Sequence, residues 1–346
     1  MPGLKEKLVR EHLLVFMFCM AVLTGPALAV LFEYDLTYFP DCKTYLGLAQ
    51  FDFHQSPVRA FRVLIPFAAA ALNFLFGGIF QRLAPAYFVG NFSLPFSFFV
   101  VNTSLTAYFG LLIYRYCSAF GADRLSAIIG TMAMLTCRYT IYTAALPLAD
   151  SLFYVVVMLT LLGIKEKNRP MLLWAIFLGP FAKESFVFIV PLIFFFAHLS
   201  KRSSLLYLLC SAILVFSARY VYEVFVLKSA GAGLVADMRH VPNLVRYLPK
   251  MFSLYTLGKI CMNVGLWVLP PLLVLIIKPQ WGRDLMAKLD SWLVWFILSV
   301  LVQMLLSGSM ERMFYVAMPV ICVMVALAAA ELRKLYLPEG SKTTDA

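Results

Sequence analysis

The chain reads as an all-α, polytopic membrane helix bundle, and three observations predict it. Apolar residues make up 62% of its 346 positions and charged residues only 14%, where a soluble domain carries about a quarter charged residues. The mean hydropathy is +0.85. The charges that remain fall between long apolar runs, and carboxylates with neighbouring bases gather toward one side. Hydrocarbon penalises each ionised side chain, so that side is where chemistry is expected.

A spanning helix needs roughly 20 mostly apolar residues. About ten segments qualify, some of them short: 12–32, 92–114, 125–141, 151–164, 171–182, 185–199, 203–226, 260–277, 291–307 and 313–332. The first follows Lys5, Lys7 and Arg10 and contains Ala27-Leu28-Ala29, which mimics a signal-peptide cleavage site. The run from His12 to Phe32 is long enough to cross, so it is read as an uncleaved span. Residues 1–332 form one transmembrane domain on this reading, and 333–346 a short cytoplasmic tail. Longer loops are expected at 33–60 and 228–259.

The topology follows from the positive-inside rule. With a cytoplasmic amino terminus and 61–80 not spanning, sixteen of the 29 Lys and Arg residues lie inside, including every cluster in a short connection. If 61–80 spanned, the runs KEKNR, SKR and KPQWGRDLMAK would move outside. Residues 61–80, which hold Pro66 and Gly77-Gly78, are therefore expected as interfacial or re-entrant helices in the first outer loop. An ordinary eleventh span is the alternative.

The formal net charge of +11 is explained by topology and anionic lipid, without nucleic acid. Seven cysteines, without C-x-x-C pairing, read as packing residues. The four histidines make no metal-ligand spacing and no Asp-x-Asp pair is present, so no cofactor is expected and a divalent cation is unsupported. There is no GxGxxG, P-loop or GxSxG element. Asn91-Phe-Ser93 and Asn102-Thr-Ser104 match a glycosylation pattern but fall in or beside a span, so they are discounted.

This topology puts Asp35, Asp41, Asp52, Asp150, Glu184, Asp237 and Glu311 at the outer face, with Arg59, Arg62, Lys183, Arg239, Arg246, Lys250 and Arg312. Asp41, Tyr45 and Ala49 recur at spacing four and share one helical face. A juxtamembrane amphipathic helix capped by Asp41 explains them equally well. Asp150 is an acid at the start of a span or its N-cap. Lys183-Glu184 is an anion site or a self-satisfied pair. Arg312 is an anion ligand, a partner of Glu311, or a snorkelling side chain. Arg219 and Glu223 read as an intrahelical pair. The bases of 228–259, among them Lys228, Arg239, His240 and Lys259, suit an anionic headgroup or a lipid surface.

The pattern D-x-x-x-Y-x-x-L-A at Asp41 to Ala49, followed by R-x-L-I-P at Arg62 to Pro66, resembles the GT-C superfamily of integral-membrane glycosyltransferases. It is most similar to bacterial mannosyltransferase-like members that use polyprenyl-phosphate sugars. PLADSLF at Pro147 to Phe153, GPFAKES at Gly179 to Ser185 and GSMERMFYVAMP at Gly308 to Pro319 resemble further elements of that family, in order. The resemblance implies an enzyme that moves a sugar from a polyprenyl-phosphate donor to a glycan, lipid or protein acceptor. The transfer takes place at the outer face of the cytoplasmic membrane, by an inverting mechanism. It implies Asp41 as general base, with Asp150 orienting or sharing that role. Arg62, Lys183, Glu184, Arg312, Tyr45 and Arg59 are then the candidates for holding donor phosphate and substrate. The competing classes are a lipid or small-substrate transporter, and a non-catalytic member of the same fold. Internal repeats and helices broken at the midplane would mark the transporter; the sequence shows no repeat, and its charges sit at one edge.

Overall fold

The computed structural model describes residues 2–36, 39–55, 59, 61–85, 90–226, 228, 243–307 and 309–336. Asp237, Arg239, His240 and the tail from 337 onward lie outside them. All regular structure among the described residues is helical.

Among the described residues five helices are long and apolar enough to cross a membrane. They are α1 (Pro2–Glu33), α3 (Leu64–Arg82), α4 (Ser93–Ala119), α10 (Lys201–Phe225) and the run Met310–Tyr336, made of α16 (Met310–Phe314), a 3-10 turn and α17 (Met318–Tyr336). Leu13, Leu14 and Met17 on α1, Phe74 and Leu75 on α3, and Leu206 and Ile213 on α10 are exposed. Such wide apolar faces suit hydrocarbon rather than water, and these helices are consistent with an integral membrane protein.

Three further pairs are apolar enough together but sharply bent: α6 (Arg138–Ala145) with α7 (Asp150–Lys165) at 119°, α12 (Leu254–Val264) with α13 (Leu269–Ile277) at 103°, and α14 (Trp281–Lys288) with α15 (Trp292–Leu306) at 91°. Counting each pair as one span gives eight, fewer than the ten expected from apolar runs. The difference has local causes. The expected span 125–141 breaks at Thr136–Cys137 between α5 (Arg124–Leu135) and α6. The corner before α7 holds Pro147, which forces the preceding Leu146 into extended backbone. The expected span 260–277 breaks at Gly265, whose φ of +76° is cheap only for glycine, and Pro270-Pro271 restart the chain as α13. The expected span 185–199 is a 3-10 turn, Glu184–Phe188, followed by the seven-residue α9 (Val190–Phe196).

Residues 61–80, expected as interfacial or re-entrant helices with an ordinary span as the alternative, do not take the re-entrant form. They enter α3 as one unbroken helix of 19 residues. Pro66 lies in its first turn, where a missing N–H costs nothing, and Gly77-Gly78 is carried within the helix. This helix packs along α4.

The centre of the bundle is α7, every residue of which from Asp150 to Ile164 is buried. It packs between α4 and α8 (Arg169–Ala182). Sixteen residues at 1.5 Å each make it about 24 Å long, so its ends define two ends of the bundle. At the Lys165 end, Lys165 pairs with Asp290 at 2.8 Å and Arg115 with Glu166 at 2.6 Å. At the Asp150 end lies the cluster described next.

Candidate active site

Five segments converge at the Asp150 end. The helix α2 (Pro40–Ala49) starts with Pro at its first position and buries Asp41, Tyr45 and Ala49 along one face. Arg59 and Arg62 lie on the connection to α3. Asp150 opens α7, Lys183 and Glu184 end α8, and Arg312 lies on α16.

The geometry decides between the alternatives left by the sequence. Asp41 does not cap α2; its Oδ1 forms an ion pair with Arg59 Nε at 2.6 Å, and its Oδ2 accepts from Arg312 Nη1 at 3.0 Å. Asp150 does not cap α7; its carboxylate accepts from Lys183 Nζ at 2.8 Å and from Arg312 Nη2. Glu184 turns away from its neighbour Lys183 and takes both arms of Arg62, at 2.5 and 3.2 Å. Arg62 Nη1 also donates to Tyr45 Oη at 2.9 Å. Arg312 bridges two acids rather than pairing with Glu311. The intrahelical Arg219–Glu223 pair forms as expected, at 3.0 Å.

The eight candidate site residues therefore gather in two bonded groups, Arg59–Asp41–Arg312–Asp150–Lys183 and Tyr45–Arg62–Glu184, which together make one charged network. It sets three carboxylates against four cations, a surplus of one positive charge. Burial alone opposes the charge of Arg62, but Glu184 and then Tyr45 outweigh it and hold the guanidinium above the ordinary arginine range. Burial likewise opposes ionisation of Glu184, and Arg62 followed by Lys183 overcomes it, keeping the carboxyl below the ordinary glutamate range. Burial pushes the Tyr45 phenol up to about 12, so it meets Arg62 as a neutral hydroxyl. Burial also lowers the Lys183 amine, against the pull of Asp150.

The network forms one wall of a cavity of about 1070 Å³, above the usual range for small-ligand sites. Asp41, Arg59, Arg62, Lys183, Glu184 and Arg312 all line it. From α10 the cavity takes the apolar Leu205, Leu209 and Phe216 together with Ser211 and the ion-paired Arg219. Asp150 and Tyr45 are not on its surface. Asp150 is 1% exposed and lies behind Lys183 and Arg312. Of the two parts expected of Asp150, orienting the cations or sharing the base role, this placement suits the first, because Asp150 touches the cations and does not line the cavity.

Two local devices build this wall. Gly179 lies under the Phe186 ring, where a Cβ would come within 2.5 Å of ring carbons; this close approach folds the chain back and sets Lys183 and Glu184 into the wall. Asn102, fully buried on α4, clamps the corner before Asp150. Its Nδ2 donates to the carbonyls of Leu146 at 2.8 Å and Leu148 at 3.0 Å, and its Oδ1 accepts from Ser151 Oγ at 2.6 Å. Its glycosylation-like context had no bearing on this role; the only signal was a carboxamide inside an apolar run. Replacing Asn102 by Leu strands these buried groups, each at a cost of about 1–3 kcal/mol. We expect a lower unfolding temperature in detergent for Asn102→Leu, and a wild-type value would refute the clamp. A third feature without sequence signal is a trio of rings, the buried Tyr154 and Tyr315 with the half-buried Tyr139. Tyr315 lies 5.0 and 4.8 Å, centroid to centroid, from the other two rings, and its hydroxyl meets Thr140 Oγ1 at 2.6 Å.

Among the described residues no three His, Cys, Asp or Glu side chains converge as metal ligands. The seven cysteines are free thiols, with Cys210 and Cys261 exposed and the rest buried. No family model, curated protein or solved structure matches the chain.

Proposed function

We propose that the chain transfers a sugar from a polyprenyl-phosphate-linked donor to an acceptor hydroxyl at the outer face of the cytoplasmic membrane, inverting the anomeric centre. The observation that carries this reading is Arg312, shared between Asp41, the acid that lines the cavity, and the buried Asp150. The acceptor oxygen attacks the anomeric carbon. The bond from that carbon to the phosphate oxygen breaks with its electron pair, and the acceptor proton passes to Asp41. The departing lipid phosphate needs paired cations, and Arg59, Arg62, Lys183 and Arg312 line the same cavity. An arriving phosphate competes with Asp41 for Arg312, which loosens that pair and leaves a carboxylate oxygen for the acceptor. A second groove of about 710 Å³, which shares Val187 and Phe188 with the first, is walled by Pro191, Phe195, Trp295 and Leu298 and suits an isoprenoid tail.

Lipid extraction of the purified protein followed by mass spectrometry tests the donor class. A co-purifying polyprenyl phosphate or its sugar conjugate supports the reading, and phospholipids alone count against it. The three bent helix pairs favour a second reading, a lipid or small-substrate transporter, since such proteins use broken helices. Their breaks belong near the midplane, whereas the break before Asp150 lies at the end of α7 with the charges.

The same proposal keeps α3 along the outer face, with both termini in the cytoplasm and the Asp150 end outside. Lys167, beside the Lys165 end, is then cytoplasmic. A cysteine at 167, in a background without the exposed Cys210 and Cys261, should label only after the membrane is permeabilised. Labelling from outside reverses the assignment.

A further inference from the structure

We propose that the wall of the cavity next to Arg312 is the seat of a neutral polyhydroxyl headgroup, with Gln303 as its specificity-determining contact. The inference rests on the donor reading above and names the part of the donor that this wall receives. Gln303 lies near the end of α15 and lines the cavity. It is 2% exposed, yet neither Nε2 nor Oε1 has a hydrogen-bond partner in the protein. A buried carboxamide left unpaired is costly, and native proteins rarely keep one without a use. Its backbone carbonyl is already taken, by the Ser307 N–H at 3.0 Å, so only the side chain is at issue.

The chemistry of the amide selects the ligand. It presents one donor edge and one acceptor edge in the same plane. A phosphate, which only accepts, satisfies Nε2 and strands Oε1. An isoprenoid chain satisfies neither. A pair of adjacent hydroxyls satisfies both, one accepting from Nε2 while the other donates to Oε1. The neighbouring positions agree: Ser307 and Ser309 line the same wall. The Ser307 hydroxyl oxygen accepts from the Ser309 N–H at 3.2 Å, which leaves the Ser307 O–H to donate. This neutral strip lines the cavity together with Arg312, whose charge suits the phosphate, while Leu205, Leu209 and Phe216 of the same lining carry no side-chain polar atom. A sugar on a lipid phosphate thus meets hydrogen-bonding groups on the side where its phosphate meets charge.

The test uses the full chain in nanodiscs and two probes, decaprenyl phosphate and decaprenyl-phosphate mannose. Wild type is expected to bind the mannosylated lipid about tenfold more tightly, the effect of roughly one or two well-formed hydrogen bonds. Gln303→Met, similar in shape but without donor or acceptor, should bind both lipids equally and keep the wild-type affinity for plain decaprenyl phosphate. Its melting temperature should be equal to wild type or higher, because the unpaired amide is gone. Gln303→Leu serves as the second variant if the thioether misfolds. A folded variant that keeps the preference, or wild type that binds both lipids equally, overturns the role of Gln303 and leaves the donor reading standing. Wild type that binds neither lipid overturns the donor reading and the inference with it.

Discussion

Asp41→Asn should lower sugar transfer by a factor of about 100 to 10,000, the usual cost of removing a general base, while the protein folds and still binds donor. Asparagine matches aspartate in size and keeps an acceptor oxygen. The fold tolerates the change because neither partner is abandoned. Arg312 retains Asp150, and Arg59 is 34% exposed, so water can take over its solvation. Donor binding should hold, since removing a carboxylate raises the cation surplus of the network. Asp52→Asn is the control. The Asp52 carboxylate accepts from the His54 N–H at 3.0 Å and from Gln55 Nε2 at 2.6 Å in the turn after α2, and it does not line the cavity. Transfer by Asp52→Asn should stay near wild type. Near-normal transfer by Asp41→Asn, measured with the native acceptor, would sink the proposed mechanism.

The gathering of these groups was legible in the sequence because hydrocarbon makes charge rare. Asp41, Arg62, Asp150, Lys183 and Arg312 stand out in a chain with few charges, and helical spacing put Asp41 and Tyr45 on one face. Their pairing was not legible. Arg312 and Asp41 are 271 residues apart, and no local pattern encodes which acid an arginine reaches across the bundle. Adjacent pairs such as Lys183-Glu184 even pointed to the wrong partners, because an extended residue at Lys183 (φ −168°, ψ 142°) throws the two side chains to different sides. Apolar length also overstates continuity. Between Arg138 and Lys165, and between Leu254 and Ile277, the composition is that of a span, but Pro147 with the Asn102 clamp sets the first corner and Gly265 with Pro270-Pro271 the second. Gln303 left no trace at all, since one carboxamide in an apolar run looks the same whether it is satisfied or not.

Asp150→Leu should be the most destabilising single change at the site, by about 3–5 kcal/mol, the cost of leaving a buried charge without its partner. Lys183 is 4% exposed, and Asp150 is its only ion-pair partner among the described residues, its other charge contact being the Phe153 ring at 5.5 Å. Arg312 suffers less because Asp41 remains. If the uncompensated ammonium is the cause, removing it should restore stability: Asp150→Leu with Lys183→Met should unfold at a higher temperature than Asp150→Leu alone, a coupling that a double-mutant cycle reads directly. The pH dependence has a definite sign. Burial lowers the Lys183 pKa in the folded state, so between that value and the unfolded lysine value of about 10.4 the unfolded chain binds more protons. Stability of Asp150→Leu therefore rises with pH across that window, whereas the double variant, which lacks the amine, shows no such rise. A single variant as stable as wild type at neutral pH would mean that Lys183 reaches water without Asp150. The acid could then not be what fixes Lys183 and Arg312 against the cavity, and their alignment would fall to Asp41 and the Gly179–Phe186 turn alone.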